Sequence, residues 1–118
     1  MKKDPLVFIE HILIEIKKIE ESIKGITKEK FDSDINIQDA TVRRIEIIGE
    51  AAKNLPKDFK DKYPSIPWKD IIGMRDKIIH HYFGINLDTI WKVVQEDIPK
   101  LKENILKIKK ELEKNSDK

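Results

Sequence analysis

The stretch that decides the fold is WKVVQEDIPKLKENILKIKKEL, residues 91–112 of a 118-residue chain. Apolar side chains recur in it every seven residues at two alternating positions, which predicts a long amphipathic helix. These residues are Trp91, Ile98, Ile105 and Leu112 at one position, and Val94, Leu101 and Ile108 at the other. Pro99 lies inside the pattern and is expected to kink the helix or interrupt one hydrogen bond. We interpret the segment as one helix of a bundle, with a two-chain coiled coil as the alternative.

The rest of the chain also shows helical periodicity. Apolar residues recur at helical spacing over about 5–24, from Asn36 or Asp39 to Leu55, and from Trp68 to about His81. Asp4 and either Asn86 or Asp88 are candidate N-caps, and the small Gly49 and Ala51 would let a neighbouring helix approach closely. The segments between the helices are interpreted as connections. With no strand pattern of period two, the sequence predicts an all-α, antiparallel four- to five-helix bundle. It forms a single domain, 1–118, whose tail 113–118 is expected to fray.

Composition limits the possible partners. Lys and Arg number 24 against 22 Asp and Glu, a formal net charge of +2, which argues against a broad basic surface for nucleic acids. Any RNA contact must therefore be local. The absence of cysteine excludes disulfides and thiolate metal sites, and no apolar run approaches the roughly 20 residues that span a bilayer. These features favour a cytoplasmic location without membrane association.

The stretch RDKIIHHYFG, residues 75–84, carries the candidate chemistry. On a helical wheel Arg75 falls near the centre of an apolar arc of isoleucines, where an unpaired guanidinium would be costly. That arc is expected to face a groove or a subunit interface. Asp76 and His80 are four residues apart and would share one flank of the helix. The structural alternative is that Arg75 pairs with an acid such as Glu50 of the preceding helix.

The histidines of this stretch favour metal-free chemistry. His80 and His81 are adjacent and would diverge on a helix, so we expect neither a metal site nor a cofactor. RNA carries its own nucleophile, the 2′-OH, and its cleavage needs a proton-transfer group that titrates near neutrality, such as His80. Arg75 would stabilise charge on the phosphorane oxygens, and Tyr82 could orient a phosphate or stack on a base. A dimer would supply a second histidine.

Arg75, His80 and Tyr82 form an R-x4-H-x-Y motif. It is embedded in YPSIPWKDIIGMRDKIIHHYFGINLDTIW (63–91) and preceded by IEIIGEAAKNLP (45–56), which together cover roughly a third of the chain. In this context the chain resembles the HEPN superfamily, and most closely the HepT-type toxins encoded beside minimal nucleotidyltransferases.

The resemblance implies a HEPN-like bundle that forms a homodimer with a shared cleft, in which Arg75 and His80 are catalytic. It implies a toxin-type, metal-independent endoribonuclease with an RNA substrate, supported by Asp76 and Tyr82. It also implies a minimal nucleotidyltransferase antitoxin that silences the RNase by attaching AMP to Tyr82. Asp76 stands where relatives often have Asn, and His81 fills a variable position. The alternative is a non-catalytic dimeric helical partner subunit of the nucleotidyltransferase, modified with AMP on Tyr82.

Overall fold

A computed structural model describes residues 4–80 and 84–116 of the chain. Within these residues the fold is an all-α bundle, as predicted. Its helices are α1 (Pro5–Ile23), α2 (Lys28–Ser33), α3 (Ile35–Asn54), α4 (Lys57–Asp61), α5 (Trp68–Ile72), α6 (Met74–Ile78), α7 (Leu87–Lys92) and α8 (Ile98–Ser116). A π-helical turn, Val93–Asp97, joins α7 to α8. Two short strands, β1 (Ile79–His80) and β2 (Gly84–Ile85), form an antiparallel pair.

Side-chain caps mark where four of the described helices begin, namely α1, α2, α3 and α7. Asp4 accepts a hydrogen bond from a backbone N–H at the start of α1, and Asn86 does the same at the start of α7, which confirms both predicted caps. The second long helix begins at Ile35, slightly earlier than predicted, because Asp34 caps it. Gly25 follows α1 with a φ of 72°, a conformation that glycine adopts without strain.

The core lies between α1, α3 and α8. Helix α1 packs against both of the others, and α3 also contacts α5 and α6. Fully buried isoleucines dominate the core: Ile9, Ile12, Ile16, Ile19, Ile45, Ile48, Ile78, Ile90 and Ile105. The apolar stripe of α8 is thus packed inside its own chain, which supports the bundle interpretation over a two-chain coiled coil. Burial of these side chains, at roughly 25 cal/mol per Å², is the main force that holds the helices together.

Pro99 is accommodated by the π-helical turn. The N–H of Ile98 bonds to the carbonyl of Val93, five residues earlier, instead of four. Proline lacks an N–H and its ring crowds the carbonyl four residues before it, so a wider turn just before Pro99 relieves the conflict. The predicted interruption is therefore a π turn inside one long helical segment. That segment ends at Ser116, within the tail for which fraying is predicted.

Both connections between the long helices contain short helices that the sequence pattern did not reveal. Helix α2 buries Phe31, whose ring centroid lies 5.4 Å from that of Trp91, and α4 buries Phe59. One aromatic side chain anchors each of these helices, and single buried residues give no periodic signal. Short helices are stable here because tertiary packing, rather than helix propensity, holds them.

The third predicted helix is shorter than expected and divided in two. It breaks at Gly73 between α5 and α6, and it ends at Ile78 instead of extending to His81. The chain then turns into β1, where His80 pairs with Gly84 across the two strands. The carbonyl of Ile78 accepts a hydrogen bond from the N–H of Asn86, which brings the start of α7 back to the end of α6. The strand pair is too short to produce a period-two pattern.

Candidate active site

Arg75 lies in the first turn of α6 with 53% of its side chain exposed. The buried positions of α5 and α6 are Trp68, Ile71, Met74 and Ile78, and Arg75 is not among them. The prediction that Arg75 occupies the centre of a buried apolar arc is therefore wrong. The helical wheel assumed one continuous helix through His81. In the structure the helix breaks at Gly73 and α6 ends at Ile78, so the buried residues cover a smaller part of the helix surface, and Arg75 lies outside that part.

Two carboxylates lie next to the Arg75 guanidinium. Its Nε is 3.5 Å from Oε2 of Glu46 on α3, and its Nη1 is 3.6 Å from Oδ1 of Asp76. The acid from the preceding helix is thus Glu46, one turn before the Glu50 that the structural alternative named. Both separations are long for a charge-assisted hydrogen bond, and the groups are partly exposed, so these ion pairs are weak. The guanidinium can therefore still bind another anion that interacts with it more strongly than these carboxylates do.

Arg75 borders an open groove of about 650 Å³ between α1, α3 and α6. Its lining residues are Phe8, His11, Arg43, Glu46, Ile47, Glu50, Ala51, Asn54 and Arg75. Helix α3 contributes one cation, Arg43, and two acids, Glu46 and Glu50, together with apolar and amide side chains. His11 and Arg43 were not predicted to belong to the site. The spacing of Arg43, Glu46 and Glu50 by three and four residues was the available signal, since it places them on one face of a helix.

Of the predicted site residues, the structure brings together Arg75 and Asp76. Asp76 is 79% exposed and lies directly beside the guanidinium. The backbone of His80 lies in β1, beyond the end of α6, so Asp76 and His80 do not share a flank of one continuous helix as predicted. The His80 side chain lies outside the described part of the structure, as does all of Tyr82.

Residues 4–80 and 84–116 show neither a metal-binding cluster nor a membrane-spanning helix. Within these ranges, no three or more His, Asp or Glu side chains are grouped so that they could hold a metal ion. None of the helices there combines the length and the apolar character that crossing a bilayer requires.

Comparison with known proteins identifies the family. The sequence model of a family described as "Ribonuclease HepT-like" matches residues 12–108, which is most of the chain. The chain belongs to the HepT-like ribonuclease family. The matched segment of this HepT-like chain includes Arg75, Asp76, His80 and Tyr82, so the resemblance seen in the sequence is confirmed.

Individual proteins resemble the HepT-like chain over most of its length. The "Gamma-glutamylcyclotransferase and putative RNase" of Methanocaldococcus jannaschii is 54% identical over 115 residues, which are 98% of this chain and 52% of that protein. The chain therefore spans about half the length of that relative. A "Putative RNase" of Caldanaerobacter subterraneus subsp. tengcongensis is 48% identical, covering 90% of this chain and 95% of the relative. The "Probable ribonuclease HepT" of Thermococcus cleftensis is 46% identical, covering 93% and 100%.

No solved structure shows a significant match to the chain. The family match and the names of the relatives agree with one another, and they support the identification of this HepT-like chain as an endoribonuclease.

Proposed function

We propose that this HepT-like chain is a toxin-type, metal-independent endoribonuclease that cleaves RNA in a cleft between two copies of the chain. The observation that carries the proposal is the placement of Arg75, a half-exposed guanidinium at the edge of an open groove, inside the segment that matches the ribonuclease family. A planar guanidinium can form two parallel hydrogen bonds to one phosphate, and an open groove can accommodate an RNA strand.

The reaction needs no nucleophile from the protein. The 2′-oxygen of the ribose bonds to the adjacent phosphorus as the bond from phosphorus to the 5′-oxygen breaks. In the proposed mechanism, His80 accepts the proton of the 2′-OH, and the departing 5′-oxygen takes a proton from an acid. His80 of a second copy would serve as that acid, because one histidine cannot easily perform both roles in one turnover. Arg75 would stabilise the negative charge on the non-bridging oxygens of the transition state.

The contact with Glu46 is compatible with this role. An ion pair between exposed groups contributes only about 0–1 kcal/mol. The pair is therefore too weak to prevent a phosphate from binding the Nη groups of Arg75 while its Nε stays beside Glu46. Glu46 would then hold Nε of Arg75 in place both in the free protein and in the RNA complex.

We further propose that a minimal nucleotidyltransferase is the antitoxin and that it attaches AMP to Tyr82. Tyr82 follows Arg75 by seven residues in the motif. A phosphodiester on this tyrosine would bring a negative charge and a bulky nucleotide into the motif, where they would compete with the substrate phosphate. We propose that the toxin–antitoxin pair acts in the cytoplasm, where RNA is present.

RNA cleavage by the isolated chain tests the proposal. The purified protein, freed of any partner, is expected to cleave RNA in the presence of EDTA. Arg75→Ala and His80→Ala should abolish cleavage without a change in helical content by circular dichroism. Lys77→Ala is the matched control, because Lys77 is an exposed cation of α6 that pairs with Asp97 away from the groove. A wild-type protein that is inert on a range of RNAs, or an equally active His80→Ala variant, would exclude this function.

A second function is favoured by the contact of Arg75 with Glu46 inside one chain, since it gives the arginine a structural role. In this alternative the chain is a non-catalytic, dimeric helical partner subunit of the nucleotidyltransferase. Co-expression with the nucleotidyltransferase would then add AMP to Tyr82, detected by mass spectrometry. The unmodified chain would not cleave RNA.

A further inference from the structure

Arg43 and Arg75 lie on either side of one carboxylate. Nη1 of Arg43 is 3.9 Å from Oε2 of Glu46, and Nε of Arg75 is 3.5 Å from the same oxygen. Arg43 and Glu46 belong to α3, whereas Arg75 belongs to α6. Two guanidiniums from different helices therefore become neighbours across Glu46, and all three side chains line the same groove.

The two arginine side chains are more exposed than the Glu46 side chain, so an anion from solution can reach them. Arg43 is 71% exposed and Arg75 is 53% exposed, while Glu46 is 29% exposed. The carboxylate thus lies deeper than the two cations, which extend from it toward the solvent. A chain of phosphates passing over the groove would meet the guanidiniums before it meets Glu46.

We propose that Arg43 binds the RNA phosphate adjacent to the one that Arg75 contacts, and that Glu46 is a positioning residue that holds both guanidiniums over the groove. The inference rests on the proposed function, because it assumes that Arg75 contacts the phosphate at the cleavage site. Both arginines lie within ion-pair distance of the same carboxylate oxygen, so they are close enough to contact neighbouring phosphates of one strand. Because contacts to phosphates carry no sequence information, such a site would bind the sugar-phosphate backbone of RNA without regard to base sequence.

Glu46 has two opposing effects under this proposal. Its negative charge repels the RNA backbone, which weakens binding. Its contact with Nε of Arg75 fixes the guanidinium, which favours catalysis because a preorganised charge stabilises the transition state better than a mobile one. Removal of the charge should therefore tighten binding and slow turnover, a combination that loss of structure alone would not produce.

RNA binding tests the role of Arg43. The dissociation constant of a fluorescent oligoribonucleotide is measured by anisotropy in a His80→Ala background, so that the RNA stays intact. Arg43→Ala should weaken binding roughly ten-fold at low salt. It should also reduce the slope of log affinity against log salt by about 0.7, the contribution of one phosphate contact on a single strand.

Arg44 provides the matched control, since it is the same residue type at the next position of α3. Its Nη1 donates to the carbonyl of Lys18 and to Oγ of Ser22 on α1, so its side chain is held against another helix. Arg44→Ala should lower stability but leave the salt slope unchanged. Equal dissociation constants and slopes for Arg43→Ala and Arg44→Ala would overturn the role of Arg43.

Turnover tests the role of Glu46. Glu46→Gln keeps the shape of the side chain and is expected to lower kcat about ten-fold while the dissociation constant falls roughly two- to five-fold. Glu46→Asp, which restores the charge on a shorter side chain, should recover part of kcat. An unchanged kcat, or weaker binding in Glu46→Gln, would contradict the positioning role.

The binding and cleavage measurements distinguish this inference from the proposed function. If the wild type cleaves RNA but Arg43→Ala binds it normally, the second phosphate site is wrong and the nuclease function stands. If RNA binds through Arg43 but is never cleaved, the nuclease function is wrong and the phosphate site stands. Absence of any RNA binding would overturn both.

Discussion

The backbone of Gly49 in α3 lies directly against the carbonyl oxygen of Ile72 at the end of α5. A Cβ atom placed on Gly49 would be 3.2 Å from that oxygen and 3.5 Å from the carbonyl oxygen of Ile71. The chain breaks at Gly73 immediately after this contact, and α6 carries Arg75 from there toward Glu46. The close packing of α3 against α5 therefore determines where Arg75 lies along α3, and so the position of its guanidinium in the groove.

Gly49→Val should destabilise the fold and displace α6. The added side chain meets backbone atoms that cannot rotate away, and overpacking of this kind typically costs about 1–3 kcal/mol. Chemical denaturation followed by circular dichroism measures the loss. Lys53→Val, at an exposed position one turn later, controls for the effect of a β-branched residue on α3. If both variants unfold at the same denaturant concentration, the contact at Gly49 does not determine the packing.

Much of the bundle could be predicted from the sequence because its long helices bury a regular stripe. The seven-residue repeat of α8, the caps at Asp4 and Asn86 and the small residue Gly49 all have direct physical consequences in the structure. Helices α2 and α4 could not be predicted, since each is anchored by one buried phenylalanine that packs in the core. Their stability arises from tertiary contacts that periodicity does not encode.

The site was only partly predictable for a related reason. The motif predicted a role for Arg75 and for the adjacent Asp76, and the side chains of these two residues lie together in the structure. The helical wheel was wrong because it assumed a continuous helix, whereas the helix breaks at Gly73 and ends at Ile78, and Arg75 is half-exposed. Arg43 was missed because its relation to Arg75 passes through Glu46, a contact between helices that sequence spacing does not reveal.

Trp68 should stabilise the loop before α5 through its indole N–H. Nε1 of Trp68 donates to the carbonyls of Lys60 and Tyr63, at 3.1 and 3.2 Å. Trp68→Phe removes this donor, while backbone N–H groups still bond to both carbonyls, so we expect a loss of about 0.5–1.5 kcal/mol in the free energy of unfolding. Trp91→Phe is the control, since Trp91 contributes ring packing against Phe31. A smaller loss for Trp68→Phe than for Trp91→Phe would contradict the importance of the hydrogen bonds.

Alkaline conditions should destabilise the fold through Tyr63. Burial raises the pKa of the Tyr63 hydroxyl above its ordinary value of 10.0, and the nearby Glu111 carboxylate adds to the effect. Because this pKa is higher in the folded than in the unfolded state, Tyr63 makes its whole contribution to the free energy of unfolding below pH 10. That contribution is lost as the pH rises through the folded pKa. The free energy of unfolding should therefore fall above pH 10, and Tyr63→Phe should reduce this fall. An identical pH profile for the wild type and Tyr63→Phe would refute the prediction.

Asp76 should weaken the binding of RNA at Arg75. Its carboxylate lies 3.6 Å from the guanidinium and is 79% exposed, so it offsets positive charge at the point where the substrate phosphate is proposed to bind. Asp76→Asn removes that charge and keeps the size of the side chain. We expect a dissociation constant for RNA that is roughly two- to five-fold lower, in keeping with the small energy of exposed ion pairs. The gain should shrink as salt concentration rises, because salt screens exposed charges.

The neighbouring helix supplies the control for Asp76→Asn. Asp70 is an exposed acid of α5 that lines a different groove, on the side of α6 that carries Lys77. Asp70→Asn changes the net charge by the same amount but lies away from Arg75, so it should alter RNA affinity less. Equal gains for the two variants would mean that overall charge, rather than the pairing of Asp76 with Arg75, determines how strongly the groove attracts RNA.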